Sequence, residues 1–225
     1  AEGQALAALA GELARRAVQA SSQTVRVAGS LPPLFGSYRP DLFEAGRVSE
    51  LLTPLVNGLA PHVDLWLAET QSSIVEARAI HAGLPQDGKP FWLSFTLKDE
   101  DTDEVPRLRS GEPVADAAEA AAQLGVAVLL FNCSQPEVIG AAIDTARQTF
   151  ERLGVSIQIG AYANAFPPQP KEATANDGLD PLRDDLDPPG YLHWAADWQA
   201  RGASHLGGCC GIGPEHIAVL AQKLA

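Results

Sequence analysis

The feature that most constrains this chain is an alternation along its length. Six short apolar runs, at residues 25–31, 63–70, 91–97, 126–133, 156–164 and 205–211, are separated by stretches of helical periodicity. The runs (VRVAGSL, VDLWLAET, FWLSFTL, VAVLLFNC, SIQIGAYAN and HLGGCCG) are nearly continuous in hydrophobicity. Strands buried on both faces of a parallel sheet read this way, whereas half-exposed strands alternate. The last run, mostly glycine and cysteine, is the least strand-like.

Helical patterns fill the intervals at 1–20, 41–59, 72–82, 113–124, 135–153, 191–201 and 214–224. Their ends carry the expected punctuation. Ser72 or Ser73 is placed to cap the third, while Pro113, Pro136 and Pro214 stand at first-turn positions. Gly125, Gly154 and Gly202 follow the last helical residues. The stretch 167–190, rich in proline, aspartate and glycine, reads as one long irregular loop.

Repeated strand–helix units imply an α/β fold. An open doubly wound sheet and a closed (β/α)8 barrel compete, and both place chemistry at the C-terminal ends of their strands. Polar residues fall at every one of those ends: Ser30; Glu69 and Thr70; Thr96; Asn132 and Cys133; Asn164; Cys209 and Cys210. An open sheet binds its ligand mainly at one switch point, so this distribution favours a TIM-type barrel. Six strands do not close an eight-stranded barrel. The sequence contains no methionine and enters directly on a helical pattern. The expectation is a single barrel domain over 1–225, N-terminally incomplete, with its first two βα units absent.

Composition narrows the function. No run of 18 apolar residues occurs, which argues against a membrane span. Segment 1–20 carries Glu2, Glu12, Arg15 and Arg16 and lacks the layout of a secretory signal. A net charge of −12 speaks against nucleic acid as a partner. The acidic clusters at 99–104 and 177–187 read as solvated loops. Three cysteines are too few for a disulfide scaffold in a chain this long. Two of them are adjacent, which suits thiol or metal chemistry in a reducing cytoplasm.

Cys209 and Cys210 lie in a Gly-Gly-Cys-Cys-Gly segment. Successive side chains of an extended strand face opposite ways, so two neighbouring sulfurs reach one ion only if the backbone turns sharply. Gly207, Gly208 and Gly211 permit such a turn. Cys133 stands at the end of another strand, which in a barrel faces the same mouth. Zinc is the natural guest for three thiolates. Structural sites take four protein ligands, whereas catalytic sites take three and keep a position open. With three thiolates the net charge is −1, poor for polarising a carbonyl but suited to holding a substrate thiol ionised, since a coordinated thiol is deprotonated. A free thiol, with a pKa of about 8.5, is mostly protonated at neutral pH. The competing reading of each cysteine is a small buried hydrophobe.

The segment 207–217, GGCCGIGPEHI, closely resembles the C-terminal signature of the zinc-dependent homocysteine S-methyltransferases. FNCS at 131–134 resembles the Asn-Cys element of that family, and VAGSLPP, LAET, LSFTL and AYAN fall in its order. The resemblance implies that Cys133, Cys209 and Cys210 hold zinc and that Glu69 binds the amino group of homocysteine. It implies further substrate contacts for Thr70, Asn132 and Asn164, and no catalytic side chain beyond the metal site. A carboxylate at a strand end can also be a helix N-terminal cap, and asparagines there can satisfy local backbone groups. His193 and Trp194 read mainly as packing residues and His216 as a first-turn residue of the last helix. The sequence departs from the family at Ile212-Gly213 and at Ala163-Asn164-Ala165-Phe166, and lacks the Asp-Gly-Ala element of the family's first strand.

The activity so implied is transfer of a methyl group from a sulfonium donor, S-methylmethionine or S-adenosylmethionine, to homocysteine, giving methionine. The alternative is a non-catalytic partial barrel that binds zinc or a thiol metabolite. A doubly wound fold with redox cysteines is a third reading, for which the chain lacks a CxxC element.

Overall fold

The computed structural model describes residues 2–99, 105–168 and 181–224. The acidic stretch 100–104 and residues 169–180 of the Pro/Asp/Gly-rich segment, with part of the second acidic cluster, lie outside the described residues. The elements alternate as the apolar pattern requires. The strands are β1 (Ala28–Leu31), β2 (Leu65–Gln71), β3 (Phe91–Phe95), β4 (Val128–Asn132), β5 (Gln158–Tyr162) and β6 (His205–Leu206). The helices are α1 (Glu2–Gln19), α2 (Val48–Leu59), α3 (Ile74–Ala82), α4 (Val114–Gln123), α5 (Pro136–Leu153), α6 (Pro188–Ala200) and α7 (Pro214–Leu224).

All five strand pairings are parallel, and the sheet runs in the order β1-β2-β3-β4-β5-β6. A doubly wound sheet reverses its strand order at a switch point, whereas a (β/α) barrel keeps sequence order all the way round. The order here is that of a barrel.

Two boundaries differ from the sequence reading in instructive ways. The helix expected from 191 begins at Pro188, because Pro188 and Pro189 fill the first two positions, where no backbone N–H is needed. The Asp187 carboxylate caps that start by accepting from Gly190 N, 2.8 Å away. The helix expected over 41–59 is broken instead into 3₁₀ turns at Pro40–Leu42 and Ala45–Arg47 before α2, because Phe43 and Glu44 are extended. Elsewhere the signals hold. Ser73 caps α3, and Gly154 ends α5 in the left-handed conformation at φ 67°.

The sheet has two faces. One packs under the helices in the main core, where Trp66, Leu93, Phe95, Phe131, Tyr191 and Trp198 are fully buried. The other carries a smaller apolar cluster of Leu65, Leu67, Val128 and Leu130 with Trp92 and Tyr162 against it. Side chains of one face recur every second residue. Counting in twos along this inner face leads from apolar residues at the strand starts to polar ones at the exits: Glu69 on β2, Ser94 on β3, Asn132 on β4 and Tyr162 on β5.

Candidate metal centre

The exits of β4 and β6 flank the exit of β5 and bring the three cysteines together. Cys133 Sγ lies 2.8 Å from Cys209 Sγ and 3.8 Å from Cys210 Sγ, and the latter two are 3.9 Å apart. Among the described residues this is the one group of three or more His, Cys, Asp or Glu side chains whose ligand atoms lie close enough to share an ion.

The backbone that presents them is fixed on each side. Beyond β6, Gly207 N donates to Ala161 O at 3.0 Å and Cys209 N to Ala163 O at 2.9 Å, while Ala165 N donates to Cys210 O at 2.9 Å. The regular strand stops at Leu206, so the predicted run 205–211 is mostly a turn, yet it stays bonded to the exit of β5. The turn needs its glycines. A Cβ on Gly208 would stand 2.1 Å from Ile212 Cγ2, and Gly211 has φ 82°. Tyr191 Oη donates to Gly207 O at 2.7 Å. His216 braces the far side: its Nδ1 accepts from Gly213 N at 3.1 Å, and its Nε2 reaches Leu186 O at 2.9 Å. His216 is therefore a scaffold of the cysteine turn.

Cys133 has φ 49°, and its carbonyl accepts from Thr96 Oγ1 at 3.2 Å. Ser134 Oγ accepts from Leu97 N at 2.8 Å and donates to Asn132 O at 2.9 Å. Among the described residues, the non-glycine positions with positive φ are Tyr38 (68°), Thr70 (60°) and Cys133 (49°), and all three belong to this site. Each such residue costs roughly 1 kcal/mol or more, and strained backbones of this kind cluster where function requires them.

A polar ring surrounds the sulfurs. Asn132, fully buried, accepts from Ser94 Oγ at 2.6 Å and donates to Thr70 Oγ1 at 2.8 Å, with Cys209 Sγ 3.9 Å from the same nitrogen. The register of β2 shifts between Ala68 and Gln71, which turns Thr70 toward this amide. Glu69 accepts from Ser30 Oγ at 2.6 Å and Tyr162 Oη at 3.1 Å. Burial and then the charge of Glu69 hold the Tyr162 phenol well above its ordinary range, so it stays a donor. Asn164 stands apart from this ring. Its Oδ1 accepts from Phe166 N at 3.3 Å in an Asx-type turn, and its N donates to Ser134 O at 3.2 Å. The sequence reading singled out Thr96 and Asn164 at these strand exits, but the inward-facing residues are Ser94 and Tyr162. Tyr38 was not foreseen at all: burial first, and then the charge of Cys133, hold its phenol well above the ordinary range.

The sulfurs divide their protons unequally. Hydrogen bonds from Cys133 and then Cys209 pull the exposed Cys210 thiol down to about 3. The contact with Cys209 works the other way on Cys133, but Cys210 and burial outweigh it and push Cys133 up to about 11. Cys209 is raised through its bonds to Cys133 and Cys210. Of the three sulfurs, Cys210 is the one on which negative charge is most favoured.

The donor set fits zinc. Sulfurs about 2.3 Å from a tetrahedral ion stand about 3.8 Å from one another. Two of the three separations match that edge, and the Cys133–Cys209 pair would open by about 1 Å to match it.

Comparison with known proteins gives a consistent picture. The family profile described as Homocysteine S-methyltransferase matches residues 1–224. Homocysteine S-methyltransferase 4 of Zea mays is 26% identical over 167 residues, 72% of this chain. The chain spans 44% of the length of that maize protein. The oxidised form of the homocysteine methyltransferase MmuM from Escherichia coli superposes with a TM-score of 0.72 at 25% identity, covering 98% of this chain and 70% of that one. A 2,3-dimethylmalate lyase of the PEP mutase/isocitrate lyase superfamily is alike in fold alone, with a TM-score of 0.51 at 13% identity over 96% of this chain and 67% of its own.

Proposed function

The chain belongs to the homocysteine S-methyltransferase family, and we propose that it takes part in moving a methyl group from a sulfonium donor to the thiol of homocysteine, forming methionine. The observation that carries this reading is the meeting of Cys133, Cys209 and Cys210 beside the inner polar ring of Glu69, Ser94, Asn132 and Tyr162. Cys133, Cys209 and Cys210 would hold zinc, which when bound supplies a means of keeping a substrate thiol ionised and nucleophilic.

The side chains have separable tasks. Glu69, steadied by Ser30 and Tyr162, offers a carboxylate for the α-ammonium of homocysteine through charge-assisted hydrogen bonds. Asn132 donates to Thr70, next to that carboxylate in the chain, and its amide nitrogen stands 3.9 Å from Cys209 Sγ. Asn164 acts through the turn it closes beyond β5. No side chain is required as a covalent nucleophile. Rate enhancement comes from thiol activation and from aligning the sulfur with the donor's methyl carbon. S-methylmethionine and S-adenosylmethionine, both sulfonium cations, suit a chain with a net charge of −12.

We place the six strands in a single eight-stranded barrel domain whose remaining two βα units lie outside these 225 residues. The parallel sequential order and the 70% share of the MmuM chain that is covered support this. No helix among the described residues is long and apolar enough to cross a membrane.

The test begins with metal content. One zinc per chain, lost together with methionine formation in Cys210→Ala, is the expected result. Methionine formation from homocysteine is assayed with S-methylmethionine, S-adenosylmethionine, betaine and methyl-folate in turn, using the full-length protein. Zinc binding without turnover of any donor would replace the enzyme by a binding protein for a thiol metabolite. A protein that takes up no zinc under reducing conditions would refute both.

A further inference from the structure

The segment 182–186 contains no cysteine, yet it touches both halves of the cysteine cluster. On one side it holds the cysteine turn. Arg183 N donates to Ala165 O at 2.9 Å, and Ala165 N donates in turn to Cys210 O at 2.9 Å. Leu182 packs over Gly211, where an added Cβ would stand 2.6 Å from Leu182 Cδ2. Leu186 N donates to Arg183 O at 3.2 Å, closing a 3₁₀ turn over Asp184–Leu186, and Leu186 O faces His216 Nε2 at 2.9 Å.

On the other side the Arg183 guanidinium reaches the start of α5, just beyond Cys133. Its Nη1 donates to Gln135 Oε1 at 2.8 Å and to Glu137 Oε2 at 3.0 Å. Its Nη2 donates to Glu137 Oε1 and to Asp185 Oδ2, both at 2.6 Å, and its Nε to Asp185 Oδ1 at 3.0 Å. These bonds use every N–H a guanidinium has, and each carboxylate is gripped by two of them in parallel. An exposed ion pair is worth little, because water screens it and both side chains lose freedom in forming it. Arg183 differs, since its side chain is only 19% exposed and its fork is fully engaged. Gln135 is tied back as well, its N donating to Asp99 Oδ2 at 3.3 Å.

We propose that Arg183 is a positioning residue of the thiol cluster: its forked grip on Glu137 and Gln135 clasps the segment that holds Cys210 to the segment that carries Cys133, and so keeps these two sulfurs at the spacing an ion requires. This rests on the three-thiolate reading above. Cys133 and Cys210 are 77 residues apart in the chain, yet their sulfurs stand 3.8 Å apart, the edge of a zinc–sulfur tetrahedron. Setting that spacing before an ion arrives removes ordering that binding would otherwise have to impose. Residues that orient metal ligands from outside typically govern affinity 10- to 100-fold.

The test compares metal binding among variants of the full-length protein. Arg183→Met keeps a long unbranched side chain and removes all the donors. Zinc binding in chelator competition should weaken about 10-fold. The visible absorption of the cobalt(II)-substituted protein should lose intensity as the sulfurs leave tetrahedral positions. Arg183→Lys keeps the charge but cannot fork, and should restore little of either. Arg147→Met removes an exposed pair on the same helix, to Glu151 at 2.7 Å, and should change neither readout. An Arg183→Met variant within about twofold of wild-type affinity, with an unchanged cobalt spectrum, would overturn the proposal. So would full recovery in Arg183→Lys, or an equal loss in Arg147→Met. If Arg183→Met does not fold, Glu137→Gln, which leaves one acceptor and breaks the paired grip, decides by the same two measures. All these results leave the zinc reading intact. Failure of the wild-type protein to bind cobalt or zinc would sink that reading first and this inference with it.

Discussion

Truncating Asn132 separates the polar ring from the cysteine turn, and its cost can be worked from the contacts. The amide is fully buried, accepts from Ser94 Oγ at 2.6 Å and donates to Thr70 Oγ1 at 2.8 Å. Asn132→Ala removes two well-formed hydrogen bonds, each about 1 kcal/mol net, and leaves a small cavity. Half-buried Thr70 can turn to water, whereas buried Ser94 loses the acceptor of its hydroxyl. The expected loss is about 2–3 kcal/mol, a lowering of roughly 5–10 °C in thermal midpoint for a chain of this size. Cys209 also loses its neighbouring N–H donor at 3.9 Å, so zinc affinity should fall on the order of 10-fold. Asn164→Ala serves as the contrast. It loses the Asx-type bond to Phe166 N, about 1 kcal/mol, and should leave zinc affinity within twofold. Thermal denaturation of the reduced proteins and chelator competition measure both. If the two variants prove equal in metal affinity, the separation of the two asparagines argued above is wrong.

Two further perturbations probe the scaffold. Burial raises the Glu76 carboxyl above its ordinary value even though Ser73 and Ser72 bond to it. Its stabilising contribution is therefore complete below the unfolded value and is lost as pH rises through the folded one. Glu76→Gln keeps an acceptor oxygen and should gain stability relative to wild type as pH climbs from 4 to 7, read from denaturant midpoints; a constant gap would contradict this. At the cysteine turn, Gly208→Ala places a Cβ against Ile212 and should cost about 1–3 kcal/mol with reduced zinc affinity. Adding Ile212→Gly, which also removes the Ile212 Cβ that would stand 2.5 Å away, should restore much of the affinity, and no recovery would show that the backbone of Gly208, and not space, is what matters.

The inner ring shows how far the sequence could be read. Continuous apolar runs located all six strands, and Glu69 and Asn132, singled out by their strand-exit positions and by the family resemblance, fall in phase with the inner face. Thr96 and Asn164 were singled out by the same rule and fall on the same count, but they lie past the last residues of β3 and β5, where the regular alternation has ended. Thr96 holds the Cys133 carbonyl, and Asn164 closes a turn. Counting in twos from Trp92 and from Gln158 would have found Ser94 and Tyr162. The phase itself was hidden because strands buried on both faces carry no alternation to count from. Tyr38 had no comparable signal. It sits in an irregular loop on a left-handed backbone, and Arg109, whose guanidinium lies over its ring, is more than 60 residues away. The cysteine pair was legible for the opposite reason, since the glycines that flank it have no use in an ordinary strand.

The two-residue β6 has a consequence for how the protein comes apart. The segment bearing Cys209 and Cys210 hangs on the sheet by a few backbone bonds to β5, yet its sulfurs meet Cys133, which is 76 residues earlier in the chain. An ion gripped by all three would act as a rivet across that loop, comparable to a disulfide closing the same span, which is worth about 4 kcal/mol. Stripping the ion with a chelator should then unfasten the C-terminal quarter before the rest, with α6 and α7 becoming the first protease-sensitive elements.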